Sequence, residues 1–295
     1  MTTAAAGIRD IGGIGDLGDL LAEPLATATA TAAHALAGHA PLGVAFSGGV
    51  DSATLLALAV RTLGADAVVA VLGVSSSLAT DERTRAHETA ASIGARLVEV
   101  QTHEGSSAAY RANGPDRCFH CKDELFTRIS DDLVAELGLA AVAYGENADD
   151  ARRPDRPGSR AATQHRVLRP LAEAGMTKAM VRELARALEV PVADKPAAPC
   201  LASRIPHFSE VTPEKLAQVD AAETALRRLG FTDSRVRHHG DVARIELPTA
   251  ELTTAVERRE EVDAAVRAAG FRFAALDLRG IQSGAFTLPL VSVRG

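Results

Sequence analysis

The chain predicts an α/β fold: a parallel sheet with helices on both faces, followed by a smaller C-terminal α+β domain. Three observations carry this. Short, continuously apolar runs alternate with helix-patterned segments through residues 41–205, as strands buried on both faces do. One such run, residues 41–46, ends abruptly at Ser47-Gly48-Gly49 and leads into residues 52–63, built of good helix formers. Beyond Pro206 the order changes to helix, strand, strand, helix, strand, without an internal repeat.

In chain order, residues 1–40 comprise a Gly-, Ala- and Thr-rich tail to about residue 20, expected to be mobile, and a leading helix over 21–39. The threonines of that helix weaken it. In the domain of residues 41–205, strands are expected at 67–74, 96–101 and 140–144, with helices at 80–93 and 122–137. Residues 145–166 are polar and lack a period. They read as a functional loop, because they leave a strand at the sheet edge where such folds bind ligands. A helix over 176–189 and a short strand over 190–194 would close the sheet. In the domain of residues 206–295, Thr212 and Pro213 open a helix that Gly230 ends. Strands at 234–238 and 242–247, a helix over 249–269 and a strand at 271–278 follow.

Composition narrows the function. A hydrophobic share of 46% over 295 residues is ample for a core. The net charge of −6 gives no general field for nucleic acid, and the absence of Trp removes the best stacking platform for bases. Both argue against nucleic acid as a partner. Three cysteines, an odd count, fit poorly with a secreted disulfide framework. No basic segment followed by an apolar core opens the chain, and no apolar run is long enough to span a bilayer. A cytoplasmic protein with no membrane partner is expected.

The stretch Ala45-Phe46-Ser47-Gly48-Gly49-Val50-Asp51-Ser52 organises the rest. A strand, a glycine turn and a helix start place unpaired N–H groups at the positive end of a helix dipole, where a phosphate binds. Asp51 or Ser52 suits the cap, and the glycines let the backbone approach the anion. The loop lacks the Gly-Lys-Ser/Thr ending of a Walker loop and the spacing of a dinucleotide fingerprint. It resembles the Ser-Gly-Gly-x-Asp-Ser signature of the PP-loop ATP pyrophosphatases, of the adenine nucleotide alpha hydrolase-like fold, which split ATP between its α and β phosphates.

The cysteines leave several readings open. Cys118 and Cys121 form a Cys-x-x-Cys ahead of the 122–137 helix, and Cys200 follows far downstream. Simple burial is one account. A thioredoxin-like pair leaves Cys200 unexplained. A zinc site needs a fourth ligand, with His103, His120 or His165 available. Three thiolates can also hold a four-iron cluster with one iron left open to substrate or sulfide.

Several motifs occur in one order. They are the loop, Arg117-Cys118-Phe-His-Cys121-Lys122, Gly145-Glu-Asn-Ala-Asp-Asp150, Arg156-Pro-Gly158, Pro199-Cys-Leu-Ala-Ser-Arg-Ile-Pro206, Arg235-Val-Arg-His-His-Gly240 and Ala243-Arg-Ile-Glu246. Together, from about residue 42 to 284, they resemble the LarE family, ATP-dependent sulfurtransferases of nickel-pincer nucleotide synthesis for lactate racemase. The resemblance implies that ATP adenylates a carboxylate of pyridinium-3,5-biscarboxylic acid mononucleotide. Sulfur then displaces AMP, and the second carboxylate is treated in turn.

It also implies roles. Ala45, Ser47, Gly48, Gly49, Asp51, Ser52 and Gly145 would cradle ATP, with Mg2+ at Asp51. Cys118, Cys121 and Cys200 would hold a [4Fe-4S] cluster carrying sulfide from a sulfur donor. The other family form gives up the sulfur of a cysteine matching Cys200. Arg204 would steady the acyl phosphate, the alternative being a structural salt bridge. Arg235 and Arg237, on one strand face, would bind a substrate phosphate, the alternative being a solvated basic edge. Glu223 and Glu246 would serve a metal or a subunit contact, or simply lie at the surface. Asp149 and Asp150 would cap turns or hold magnesium. Family members assemble into homo-oligomers. One departure is Gln282, where the family pattern has an arginine.

Rival functions are a tRNA thiolase, an amidating ligase of the NAD or GMP synthetase kind, and a non-catalytic nucleotide- or metal-binding regulator.

Overall fold

The computed structural model describes residues 21–152 and 157–282. The tail expected over residues 1–20 and Arg156 of the Arg-Pro-Gly motif lie outside them.

Helix α1, Leu25–Leu36, precedes strand β1, Leu42–Ala45. The chain continues through α2 (Val50–Leu63), β2 (Val68–Val74), α3 (Thr80–Ile93), β3 (Arg96–Gln101) and the short α4 (Ala108–Arg111). Helix α5, Arg117–Arg128, passes through a π-helical segment, Ile129–Leu133, into α6, Val134–Leu137. Strand β4, Ala141–Tyr144, follows.

The four strands form one parallel sheet, ordered β3-β2-β1-β4 and flanked by helices. Leu42 stands beside Val68 on one side and Ala141 on the other, and Ala45 beside Val71 and Tyr144. Successive strands run from β1 outward to β3, and the chain then returns to place β4 on the free side of β1. The strand order therefore reverses at β1, the kind of switch point beyond whose strand ends open α/β sheets bind ligands. Leu42, Val44, Leu55, Leu56 and Leu72 are buried in this core, each contributing about 1.5–3 kcal/mol by leaving water.

Two sequence expectations change here. Residues 145–166, expected as a loop, contain α7 (Ala148–Ala151), capped by the Asn147 side chain, and α8 (Pro157–Gln164). Their polar composition hid two short helices. Residues 190–194, expected as a closing strand, form turns after α9 (Pro170–Glu173) and α10 (Lys178–Ala187). Glu189 turns the chain with φ of 55°, and Arg182 takes the carbonyls of Ala193 and Lys195 at 2.5 and 2.9 Å. Those carbonyls are thereby unavailable to a strand ladder.

The C-terminal segment begins with α11, Pro213–Arg228, capped by Thr212, whose side chain accepts from the Lys215 N–H. Strands β5 (Arg235–His239) and β6 (Val242–Glu246) pair antiparallel, and β7 (Phe273–Leu276) pairs parallel to β6. The single helix expected over 249–269 is broken at Arg258 into α12 (Leu252–Glu257) and α13 (Arg259–Ala268). The Arg258 guanidinium is held by the Leu229 carbonyl at 2.6 Å and by Glu261. Leu216, Val219, Ala222 and Leu226 of α11 join Val236, Ile245 and Val266 in a core of their own.

Contacts group the chain into two compact units. Of the described residues, the first takes 21–73, 84–101, 125–152 and 157–197; the second takes 74–83, 102–124 and 198–282. The expected boundary at Ile205 is a single cut in the chain, whereas these units are groupings in space. The second thus holds all three cysteines.

Candidate functional site

In the first unit, the end of β1 turns through Ser47-Gly48-Gly49 into α2. Gly48 has φ of 70°, a left-handed conformation that glycine adopts without strain. Gly49 occupies the cap position, so Asp51 and Ser52, expected as caps, lie in the first turn. Ser52 instead ties the loop together: its Oγ accepts the Ser47 N–H at 3.2 Å and donates to the Gly49 carbonyl at 3.1 Å. Gly145, at the end of β4, touches this turn. A Cβ there would lie 2.7 Å from the Ser52 nitrogen and 2.8 Å from the Asp51 carbonyl carbon. The Gly145 position is therefore needed for the close approach of β4 to the start of α2. Ala45 is buried in the sheet immediately before the loop.

The Asp51 carboxylate is engaged on both oxygens. Lys178 Nζ lies 2.6 Å from Oδ2, and Asn147 Nδ2 lies 3.4 Å from Oδ1. Asp149 accepts the Lys178 backbone N–H at 2.8 Å, and Asp150 is bonded to Asn147. Sequence reasoning missed Lys178 and Asn147. A signal existed for the lysine: a cation in the first turn of a helix opposes the dipole, which points to an acidic partner elsewhere. Next to Asn147, Glu146 is buried and bonded to Ser159, with Arg169 3.7 Å away.

The second unit carries the cysteines. Cys118 and Cys121 lie within the first turns of α5, which starts at Arg117, earlier than the expected 122. Cys200 precedes a 3-10 turn, Leu201–Arg204. All three are free thiols; Cys118 and Cys200 are exposed, and Cys121 is partly buried against the core. Cys118 and Cys200 both act electrostatically on Cys121. Burial pushes the Cys121 thiol well up, and Glu104, Cys200 and Cys118 push it the same way. Among the described residues, no three His, Cys, Asp or Glu side chains form a group that could hold a metal ion. A four-iron cluster spaces its thiolates more widely than a single ion does. Three free thiols are a donor set whose chemistry suits it.

Arg117 serves this cluster of thiols. Burial works against its charge, yet Cys200, Cys118 and Tyr110 together raise its pKa. Its Nη1 donates to Asn113 Oδ1 at 2.5 Å and to the Ala202 carbonyl at 2.8 Å. Asn113, fully buried, donates in turn to the carbonyls of Ile205, Pro206 and Ser209. The segment carrying Cys200 is thus clamped to the segment carrying Cys118. Beside them are two further buried groups, neither foreseen. Tyr110 shares a hydrogen bond with Ser77 at 2.5 Å, and Glu104 accepts from Ser75 at 2.5 Å.

The arginines and glutamates form buried ion pairs. Arg204 meets Glu223 through two parallel bonds of 2.9 and 3.1 Å, and its Nη1 donates to the Pro199 carbonyl at 2.6 Å. Arg237 meets Glu246 at 2.8 Å and also reaches the carbonyls of Ser203 and Gln282. Glu223 further accepts the Val236 N–H, and Arg244 lies 3.2 Å from Glu246. Glu223 and Glu246 are therefore not surface carboxylates, and arginines occupy them. Arg235 and Arg237 are buried, not a solvated edge. Burial first, then Arg204 and Arg237, lower the Arg235 pKa. Gln282 enters through its backbone, at the Arg237–Glu246 pair.

The comparisons agree with this geometry. A family profile described as asparagine synthase matches residues 25–131, which include the phosphate loop. The pyridinium-3,5-bisthiocarboxylic acid mononucleotide synthase of Lactiplantibacillus plantarum is 36% identical over 260 residues, covering 88% of this chain and 94% of that one. An uncharacterised protein of Synechocystis sp. is 42% identical over 243 residues, 82% of this chain and 90% of its own. Another, of Methanocaldococcus jannaschii, is 28% identical over 166 residues, 56% of this chain and 64% of its own. With a phosphate loop at a parallel-sheet switch point and a LarE relative matched along nearly its whole length, the chain belongs to the LarE family of PP-loop, ATP-dependent sulfurtransferases.

Proposed function

We propose that this enzyme transfers sulfur to pyridinium-3,5-biscarboxylic acid mononucleotide, the acid precursor of the product in the name of its Lactiplantibacillus relative. A carboxylate is a poor electrophile, so the first stage activates it. A substrate oxygen attacks the α phosphorus of ATP, the bond to the β-phosphate bridge breaks, and the electron pair leaves with pyrophosphate. N–H groups at the start of α2, with Ser47 and Ser52, bind the departing phosphates. Asp51 would hold Mg2+ there, whose charge would offset that of the phosphates. In the second stage a sulfur nucleophile forms a bond to the acyl carbon and AMP leaves. Repetition on the second carboxylate gives the bisthiocarboxylate.

For the sulfur source, Cys118, Cys121 and Cys200 would hold a [4Fe-4S] cluster. When bound, it supplies an iron without a protein ligand at which sulfide is presented. Arg117 offsets the negative charge of the thiolates, and Arg204, with its nitrogens engaged by protein groups, positions the Cys200 segment. Arg235 and Arg237 bind the substrate phosphate. The enzyme acts as a cytoplasmic homo-oligomer, and among the described residues no helix is long and apolar enough to cross a membrane. The observation carrying the cluster reading is that Arg117 and Asn113 join the segment of Cys118 and Cys121 to the distant segment of Cys200, with all three thiols free.

Iron and acid-labile sulfide, measured after anaerobic purification, test it. About four irons per chain with matching sulfide are expected, lost when any one cysteine becomes alanine. Zinc, or no metal after reconstitution, would overturn the cluster. The exposure of Cys200 favours the second reading in that event: its sulfur would pass to the substrate and leave dehydroalanine, seen as a mass loss after one turnover.

A further inference from the structure

Among the described residues, the non-glycine residues with a left-handed backbone are Asn113, Arg166, Glu189 and Phe208. Asparagine enters that region readily, whereas a bulky aromatic residue there is an outlier whose backbone costs free energy. Phe208 has φ of 64°, and burial does not offset the strain, because the residue is 68% exposed. Ile205 and Val211 nearby are buried, so an anchored segment presents this one ring to solvent. Asn113 enforces the conformation. Its backbone carbonyl accepts the Phe208 N–H and the His207 Nδ1–H, each at 3.1 Å. Its side-chain amide donates to the carbonyls of Pro206 and Ser209, one on either side, at 2.8 and 3.0 Å. Arg117 holds the same asparagine and also takes the Ala202 carbonyl. Phe208 is thus mounted on the frame that joins the Cys118 segment to the Cys200 segment.

We propose that Phe208 is the platform on which the pyridinium ring of the substrate lies. This rests on the reading of the substrate as a pyridinium mononucleotide, and it adds the residue that recognises the ring. Three physical arguments support it. Strained backbone that its surroundings over-determine clusters at ligand sites. A pyridinium is flat, electron-poor and positively charged, whereas the face of a phenyl ring is negative, so the two attract in an offset stack. A ring whose backbone is already fixed loses little further freedom when a ligand covers it. Arginines can hold the phosphate of any nucleotide; Phe208 responds to the ring itself.

Calorimetry on the full-length protein tests this with three probes: pyridinium-3,5-biscarboxylic acid mononucleotide, ribose 5-phosphate, which keeps the sugar and phosphate without the ring, and ATP. Phe208→Leu should weaken the pyridinium mononucleotide about threefold or more, and leave ribose 5-phosphate and ATP unchanged. Phe208→Trp should restore the lost affinity. Phe208→Gly relieves the strain, so it should raise Tm while binding the pyridinium mononucleotide as poorly as Phe208→Leu does. Unchanged affinity for that probe in Phe208→Leu would overturn the proposal. So would a loss confined to ATP, which gives the ring to adenine, or a changed oligomeric state with binding intact, which gives it to a second copy of the chain. If the wild-type protein does not bind the pyridinium mononucleotide, the substrate reading itself falls and takes the proposal with it.

Discussion

Cys121 stands among groups that disfavour its thiolate: burial first, then Glu104 and the neighbouring thiols. Its pKa lies above the ordinary range, so the neutral thiol dominates in the metal-free protein up to alkaline pH. Since only the thiolate is alkylated, its reaction with iodoacetamide, followed by mass spectrometry, should keep rising through pH 10. A plateau below pH 9 would contradict the arrangement. Metal binding would have to remove that proton, so loading should be easier as pH rises. At this scale the loop was legible, because Ser47, Gly48, Asp51 and Ser52 announce a phosphate turn through local spacing alone. Lys178 and Asn113 were not. Each acts on a residue or segment that only the folded backbone brings near: the place of Lys178 in a first helical turn hints at an acidic partner, but no local pattern names Asp51 or the carbonyls that Asn113 meets.

Among elements, the pairing of Arg204 with Glu223 ties the 3-10 turn after Cys200 to α11, and Glu223 continues to the Val236 N–H of β5. Both side chains are more than nine-tenths buried. Removing one partner strands the other charge away from water. Arg204→Met alone should therefore lower unfolding stability by about 3–5 kcal/mol, whereas Arg204→Met with Glu223→Leu should recover much of that loss. Urea denaturation of both variants checks this; a double variant no better than the single would refute it. Strands β1, β2 and β3 and helix α11 were readable because apolar periodicity and capping residues coincide. The break at Arg258 and the turns at 190–194 were not. There an arginine side chain takes a distant or nearby carbonyl, and tertiary hydrogen bonding overrides a pattern that looks regular.

For the molecule as a whole, charge bears on the rival tRNA thiolase. A net charge of −6 leaves no general attraction for polyphosphate chains, and the buried Arg204 and Arg237 are tied to carboxylates. Filter retention of tRNA at about 50 mM salt should not exceed that of an acidic control protein. Retention that falls steeply with added salt would favour the rival. The division into α/β and α+β parts was legible from the change after Pro206. The recruitment of residues 74–83 and 102–124 to the second unit was not, because sequence order says nothing of which segments gather in space.

That recruitment has a consequence for the order in which the protein is made. Cys118 and Cys121 leave the ribosome about 80 residues before Cys200, a delay of about 4–16 s at ordinary rates of synthesis. Throughout it, the clamp from Asn113 to residues 205–209 has no partner to grip. The first unit is complete in sequence once residue 197 has emerged, while the second still awaits most of its chain. Nascent chains thus carry two reactive thiols before their enclosure exists. The three-thiol site can assemble only after translation has passed Cys200, so loading of the proposed cluster would be a late event in the life of the molecule.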